Sequence, residues 1–176
     1  MNFNDLVEKV HKNAIEHGFY KDFDMQRAFM LVVCEIAEAI EADRENKHCS
    51  VNELLQWENM DFHDKYFVNH IKETFECEIA DVFIRLFDLA GHYELTFRNP
   101  FISDDEKQGL IDVSMYGAFT EITRYLTSEF DPKTRIYSAM RTLEVFVAAY
   151  NIDIYPFILA KMRYNKNRPI LHGKRY

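Results

Sequence analysis

The chain has 176 residues, 48% of them hydrophobic, enough for one compact domain with a substantial core. Its formal charge of -8 at pH 7 argues against a partner such as a nucleic-acid polymer, which calls for a dominant basic surface. No apolar run reaches the ~18 residues of a membrane span, and the first residues, with Asn2 and Asp5, lack the regions of a signal peptide, so a cytoplasmic protein without membrane contact is expected.

Four Pro and five Gly leave little punctuation, and apolar residues recur at three- and four-residue steps almost throughout, which predicts an all-α chain. The first helix is predicted over Asn4 to His17, with Leu6, Val10 and Ile15 inward and Gly18 ending it. The second starts at Asp22 or Asp24 as N-cap and continues through Lys47, burying Phe29, Val32, Val33, Ile36 and Ile40. Residues 46 to 68 mix aromatics with charges and suit a short helix within a longer connection.

A third long helix reads "HIKETFECEIADVFIRLFDLAG", with Ile71, Phe75, Ile79, Val82, Phe83, Leu86 and Leu89 at helical spacing and Gly91 as its stop. Ser103 to Glu106 form a capping box, and Asp131 with Pro132 forms a second helix start, so two helices are expected near 104 to 129 and 132 to 150. The last helix begins near Asp153, with Pro156 in its first turn, and the tail beyond Pro169 is irregular. There is no repeat or long linker, and one all-α domain spanning 1-176 is the simplest organisation.

Charge is distributed unevenly: from Lys161 to Tyr176 there are six Lys or Arg and no Asp or Glu, so a basic end faces an acidic body. Cys34, Cys49 and Cys77 have neither zinc spacing nor an even count, and are read as reduced thiols. The seven His residues form no ligand motif and are assigned to surface or capping positions.

Glu35 and Glu38 are three residues apart on one helix, and Glu78 and Asp81 are three apart on another. Positions at this spacing share a face, about 5 to 6 Å apart at Cβ. Two such edges facing each other would crowd four carboxylates, which a divalent cation relieves, and hard oxygen donors suit Mg²⁺ better than zinc. The competing reading places each pair on the solvent edge of an amphipathic helix. Glu41 extends the first pair but drifts off its face. Arg85 is read as a structural helix partner of Asp81 or Asp88, and Trp57 as core filling rather than a base-stacking surface. Phe23 and Gln26, at the start of the acidic helix, are placed where they could approach a ligand.

The segments "EIAEAIEADR", "EIADVFIRLFDLAG" and "KMRYNKNRPILHGKRY", in this order, resemble the MazG-like all-α nucleoside triphosphate pyrophosphohydrolases, whose hallmark is ExxE on one helix and ExxD on a later one. The resemblance implies an antiparallel helical bundle and a homo-oligomer, dimer or tetramer. It also implies Mg²⁺, with Mn²⁺ as substitute, and cleavage of an NTP or dNTP to monophosphate and pyrophosphate. On this reading Glu35, Glu38, Glu78 and Asp81 are the metal ligands and catalytic residues, and Lys161, Asn165, Arg168, Lys174 and Arg175 bind the substrate.

Two features depart from the pattern: 39 residues separate Glu38 from Glu78, and residues 95-150 form an additional helical pair before the last helix. The rival reading is a catalytically silent helical oligomer that binds nucleotide or a protein partner. Ferritin-like di-iron chemistry is disfavoured, because the acid-bearing helices carry no ExxH pair.

Overall fold

The computed structural model describes residues 3–58, 63–98 and 101–173, and these are all-helical, without strands. Helix α1 (Phe3–Glu16) buries Leu6, Val7, Val10 and Ala14. Ile15, predicted inward, is 52% exposed. The stripe through Leu6 and Val10 continues to Ala14 and His17, and Ile15 lies 100° off it. Gly18 does end the helix, with φ +82.

Asp24 is the cap of α2 (Met25–Arg44), accepting from the Arg27 N–H at 2.6 Å. The helix ends three residues before the predicted Lys47. Phe29, Val32 and Ile36 are buried, whereas Val33 and Ile40 pack only partly against the core.

The uncertain stretch 46 to 68 contains α3 (Val51–Glu58) and α4 (His63–Tyr66), the latter running into a π turn over Phe67–Ile71. That wide turn, with the Lys72 N–H donating to Phe67 O at 2.8 Å, delays the next helix to Phe75. Trp57, 1% exposed, packs 4.8 Å from the Phe67 ring, as core filling requires.

Helix α5 (Phe75–His92) is the axis of the fold. It packs against α1, α2, and the later helices α7 (Pro132–Ala149) and α8 (Tyr155–Lys166), and is therefore apolar around most of its circumference. Gly91 does not stop it, since α5 continues to His92. A Cβ at Gly91 would lie 2.4 Å from Cβ of His11, so this glycine is what lets α1 approach closely.

Helix α6 (Asp104–Leu126) starts with the expected capping box, Ser103 N donating to Glu106 Oε2 at 3.0 Å and Glu106 N to Ser103 Oγ at 3.3 Å. It is not continuous: Ser114, at φ 68 and ψ 168, breaks it, and it ends at Leu126 rather than 129. Asp131 caps α7 by accepting from Lys133 N and Thr134 N, with Pro132 in the first turn. Helices α6 and α7 pair as a hairpin against α5 and α2. Arg135 of α7, buried, lies 3.8 Å above the Phe29 ring of α2 and bonds Leu126 O.

Helix α8 begins at Tyr155, near Asp153 as expected, with Ile154 at its N-cap and Pro156 in its first turn. After it, Ile170–Gly173 form an irregular strap in which Leu171 and His172 both take left-handed backbone angles, φ 50 and 52. The strap is held by Leu171 N donating to His17 O at 2.9 Å. Among the described residues no helix is long and apolar enough to cross a membrane, and the three cysteines are free.

Two glycines give opposite expectations. Gly91→Ala forces α1 away from α5 and should lower stability by about 1 to 3 kcal/mol, as overpacking does. Gly109→Ala, in α6 with nothing within 4 Å of the new Cβ, should raise stability by about 0.5 to 1 kcal/mol. Urea unfolding of both variants checks the pair, and the account fails if Gly91→Ala is neutral.

Candidate active site

The packing of α2 on α5 brings the two acid pairs together. Glu35 and Glu78 are buried, Glu78 only 4% exposed, while Asp81 is half-buried and Glu38 faces the open side. One carboxylate oxygen each from Glu35, Glu38 and Glu78 lies within 4.8 Å of the others, close enough to hold one metal ion. The solvent-edge reading thus does not hold for Glu35 and Glu78.

Asp81 stands outside this convergence. Its Oδ2 accepts from Lys161 Nζ of α8 at 2.6 Å, and the same ammonium is 3.9 Å from Glu78 Oε1. Lys161 is 2% exposed, so it meets carboxylates in this structure. Burial by itself would lower its pKa, but the charges of Asp81 and Glu78 outweigh that and hold the ammonium protonated.

Arg85 differs from its sequence assignment. It reaches across to α2, its Nε and Nη2 both 3.0 Å from Glu35 Oε1, rather than pairing along its own helix. Two cations thus sit against three of the four acids, Lys161 against Asp81 and Glu78 and Arg85 against Glu35, so the four carboxylates outnumber their close cations by two. Glu41 is exposed and bonded to Arg44, away from this cluster.

Desolvation is the largest influence on both buried acids. It pushes the Glu78 carboxyl up to about 8 from an ordinary 4.5, with the Asp81, Glu35 and Glu38 charges adding and Lys161 opposing. Glu35 is also raised, by burial and then by Asp81, against the pull of Arg85.

The acids line a cleft of about 640 Å³, a volume ordinary for a small-molecule site. Its other walls combine apolar side chains, among them Val10, Leu31, Ile84 and Met162, with basic ones. Besides Lys161, Arg85 and Arg168, α1 contributes Lys9 and Lys12 and α8 contributes Arg163 and Lys166. Sequence reasoning missed the α1 lysines, although Lys9, Lys12, Asn13 and Glu16 recur at helical spacing along one flank of the Leu6 stripe.

Asn165 is buried, and its Oδ1 accepts from Arg168 Nη1 at 3.3 Å. Arg168 also donates to His172 O at 3.2 Å. Asn165 and Arg168 thus line the cleft and brace the strap. Lys174 and Arg175 lie outside the described residues. His17, expected at the surface or as a cap, is buried, with Nδ1 2.8 Å from Asn13 O and Nε2 3.0 Å from Arg168 O. It ties the end of α1 to the end of α8.

No known protein family, curated protein or solved structure matches the chain. The fold and site by themselves define an α-helical protein with a cleft that holds converging carboxylates together with several Lys and Arg side chains.

The raised Glu78 carboxyl fixes a pH dependence. The folded protein holds this proton more tightly than the unfolded chain, so the group's contribution to stability is complete below its ordinary 4.5 and is lost as pH rises through about 8. Without metal, the melting temperature should therefore fall between about pH 5 and 8, and Glu78→Gln should flatten that slope. A thermal melt series of both proteins in chelator would show it, and an unchanged slope in the variant would refute it.

Proposed function

We propose that this chain is a nucleotide pyrophosphohydrolase of the MazG-like kind, dependent on Mg²⁺ or Mn²⁺, that cleaves an NTP or dNTP to the monophosphate and pyrophosphate. One observation carries the reading: three carboxylate oxygens converge within 4.8 Å in a cleft that also gathers Lys and Arg side chains from α1, α5 and α8. A polyphosphate accompanied by a divalent cation presents the complementary charges, negative toward the lysines and positive toward the acids.

The donor set fits such an ion. Glu35, Glu38 and Glu78 offer hard oxygens, with Asp81 adjoining. Fully ionised, the four acids exceed Lys161 and Arg85 by two charges, and a divalent cation that displaced the proton burial favours on Glu78 would meet that excess. Such an ion supplies neutralisation of phosphate oxygens and activation of water at accessible pH.

The side chains supply the rest. Glu38, the exposed acid of the converging three, is placed to orient a water that attacks the α-phosphorus and to accept its proton. The bond from the α-phosphorus to the bridging oxygen breaks, and pyrophosphate leaves. Lys9 and Lys12 from α1, with Arg163 and Lys166 from α8, stabilise the charge on that leaving group. Lys161, held by Asp81, sits deeper and fixes the carboxylates between α5 and α8.

A second reading, binding without turnover by a helical oligomer, draws on a different observation. Glu35 and Asp81 already have Arg85 and Lys161 as partners. One assay separates the two: a panel of NTPs and dNTPs with Mg²⁺, products resolved by chromatography. The hydrolase yields monophosphate and pyrophosphate, and Glu38→Gln lowers kcat/KM by about 10²-fold or more with unchanged melting. Binding with every substrate intact supports the silent oligomer instead.

A further inference from the structure

Beside the basic cleft lies a second, of about 580 Å³, where Phe19, Tyr20 and Phe23 line a wall among charged and aliphatic side chains. The clefts share Phe19, Arg85, Asp88 and Leu171 as lining residues, so they are two parts of one continuous depression. In the second, Tyr20 and Phe23 stack with centroids 5.1 Å apart and planes 12° from parallel, and Tyr20 stacks on His92 at 5.0 Å. These rings are half-buried, and Tyr20 and Phe23 line the second cleft.

Asp88 is the polar group at the junction. Its Oδ1 accepts the Tyr20 hydroxyl at 2.7 Å and lies 2.9 Å from His11 Nδ1. Two partners thus occupy Oδ1, and Oδ2 accepts from no described residue. A carboxylate fixed by a tyrosine and a histidine, with one oxygen left over beside aromatic rings, is an acceptor built for a single N–H donor on a planar ligand.

Its position along α5 gives the scale. Asp81, Arg85 and Asp88 fall at i, i+4 and i+7, on one face of the helix. Seven residues correspond to about 10 Å of helix. Glu78, the converging acid of α5, lies three residues further on, about 15 Å from Asp88 along the helix, a span that takes a phosphate with its nucleoside.

We infer that the aromatic cleft receives the nucleobase of the substrate, and that Asp88 Oδ2 accepts from its exocyclic amino group, selecting cytosine and adenine nucleotides over uracil and thymine ones. The inference rests on the nucleotide reading of the adjoining cleft. Uracil and thymine present a carbonyl oxygen where cytosine presents its amine, which sets two acceptors against each other without a proton between them. Guanine presents two neighbouring N–H donors, which suit a fork of two free oxygens, and Oδ1 is already engaged.

Calorimetric titration with the five deoxynucleoside monophosphates and with inorganic tripolyphosphate, in chelator, tests the base contact without turnover. The cytosine and adenine nucleotides should bind about 10-fold or more tightly than the uracil and thymine ones. Asp88→Asn should collapse that ratio without weakening tripolyphosphate binding, whereas Tyr20→Phe, which keeps the ring and the carboxylate, should retain it. Equal binding of all five by the wild-type protein overturns the inference, as does a ratio that survives in a cooperatively melting Asp88→Asn. A ratio in binding without pyrophosphate release in the nucleotide panel sinks the hydrolase reading and leaves the base contact standing. Pyrophosphate release from every nucleotide without any ratio does the opposite.

Discussion

The structure turns on carboxylates that are drawn out of water between helices. Glu35 and Glu78 are buried where α2 meets α5, an arrangement that dispersed solvent-edge acids would avoid. Arg85 and Lys161 make it tolerable, the first across the α2 and α5 contact and the second from α8. Removing either cation alone would leave a buried charge unbalanced, which costs more than the pair contributes. The same desolvation that strains the site gives it affinity for an incoming cation, so stability and ligand binding draw on one set of charges.

That set is also the reason the last helix matters. Lys161 of α8 enters the acid cluster from the side opposite the sequence order, and the strap after it closes on His17 through Leu171. Helix α5 touches α1, α2, α7 and α8, so the positions of the acids and of the basic walls are set by a single apolar core. The α6 and α7 hairpin joins that core through Phe119 and Phe146, both near the Phe75 ring.

Much of the helix pattern was legible because it follows from local rules: Asp24, Ser103 and Asp131 cap where the residue types predict, and apolar spacing gives the core faces of α2 and α5. What escaped depends on contacts between elements. Gly91 reads as a stop in sequence and proves to be a close approach, because only His11 in space reveals the need for a missing Cβ. The π turn before α5 and the break at Ser114 have no signature in residue type. In the site, the acids were visible as like charges at helical spacing, while Arg85 could be placed on Glu35 only once α2 and α5 were set side by side. The lysines of α1 formed a legible polar face whose partner was not legible.

The distribution of charges along the chain has a consequence for synthesis. Ribosomes deliver the amino end first, so α2 and α5 emerge with their four carboxylates well before α8 brings Lys161. Until then Arg85 is the sole cation of the pair that can accompany them. The nascent intermediate therefore has reason to keep α2 and α5 apart and hydrated, and the arrival of α8 permits the acid-bearing interface to close as one late event.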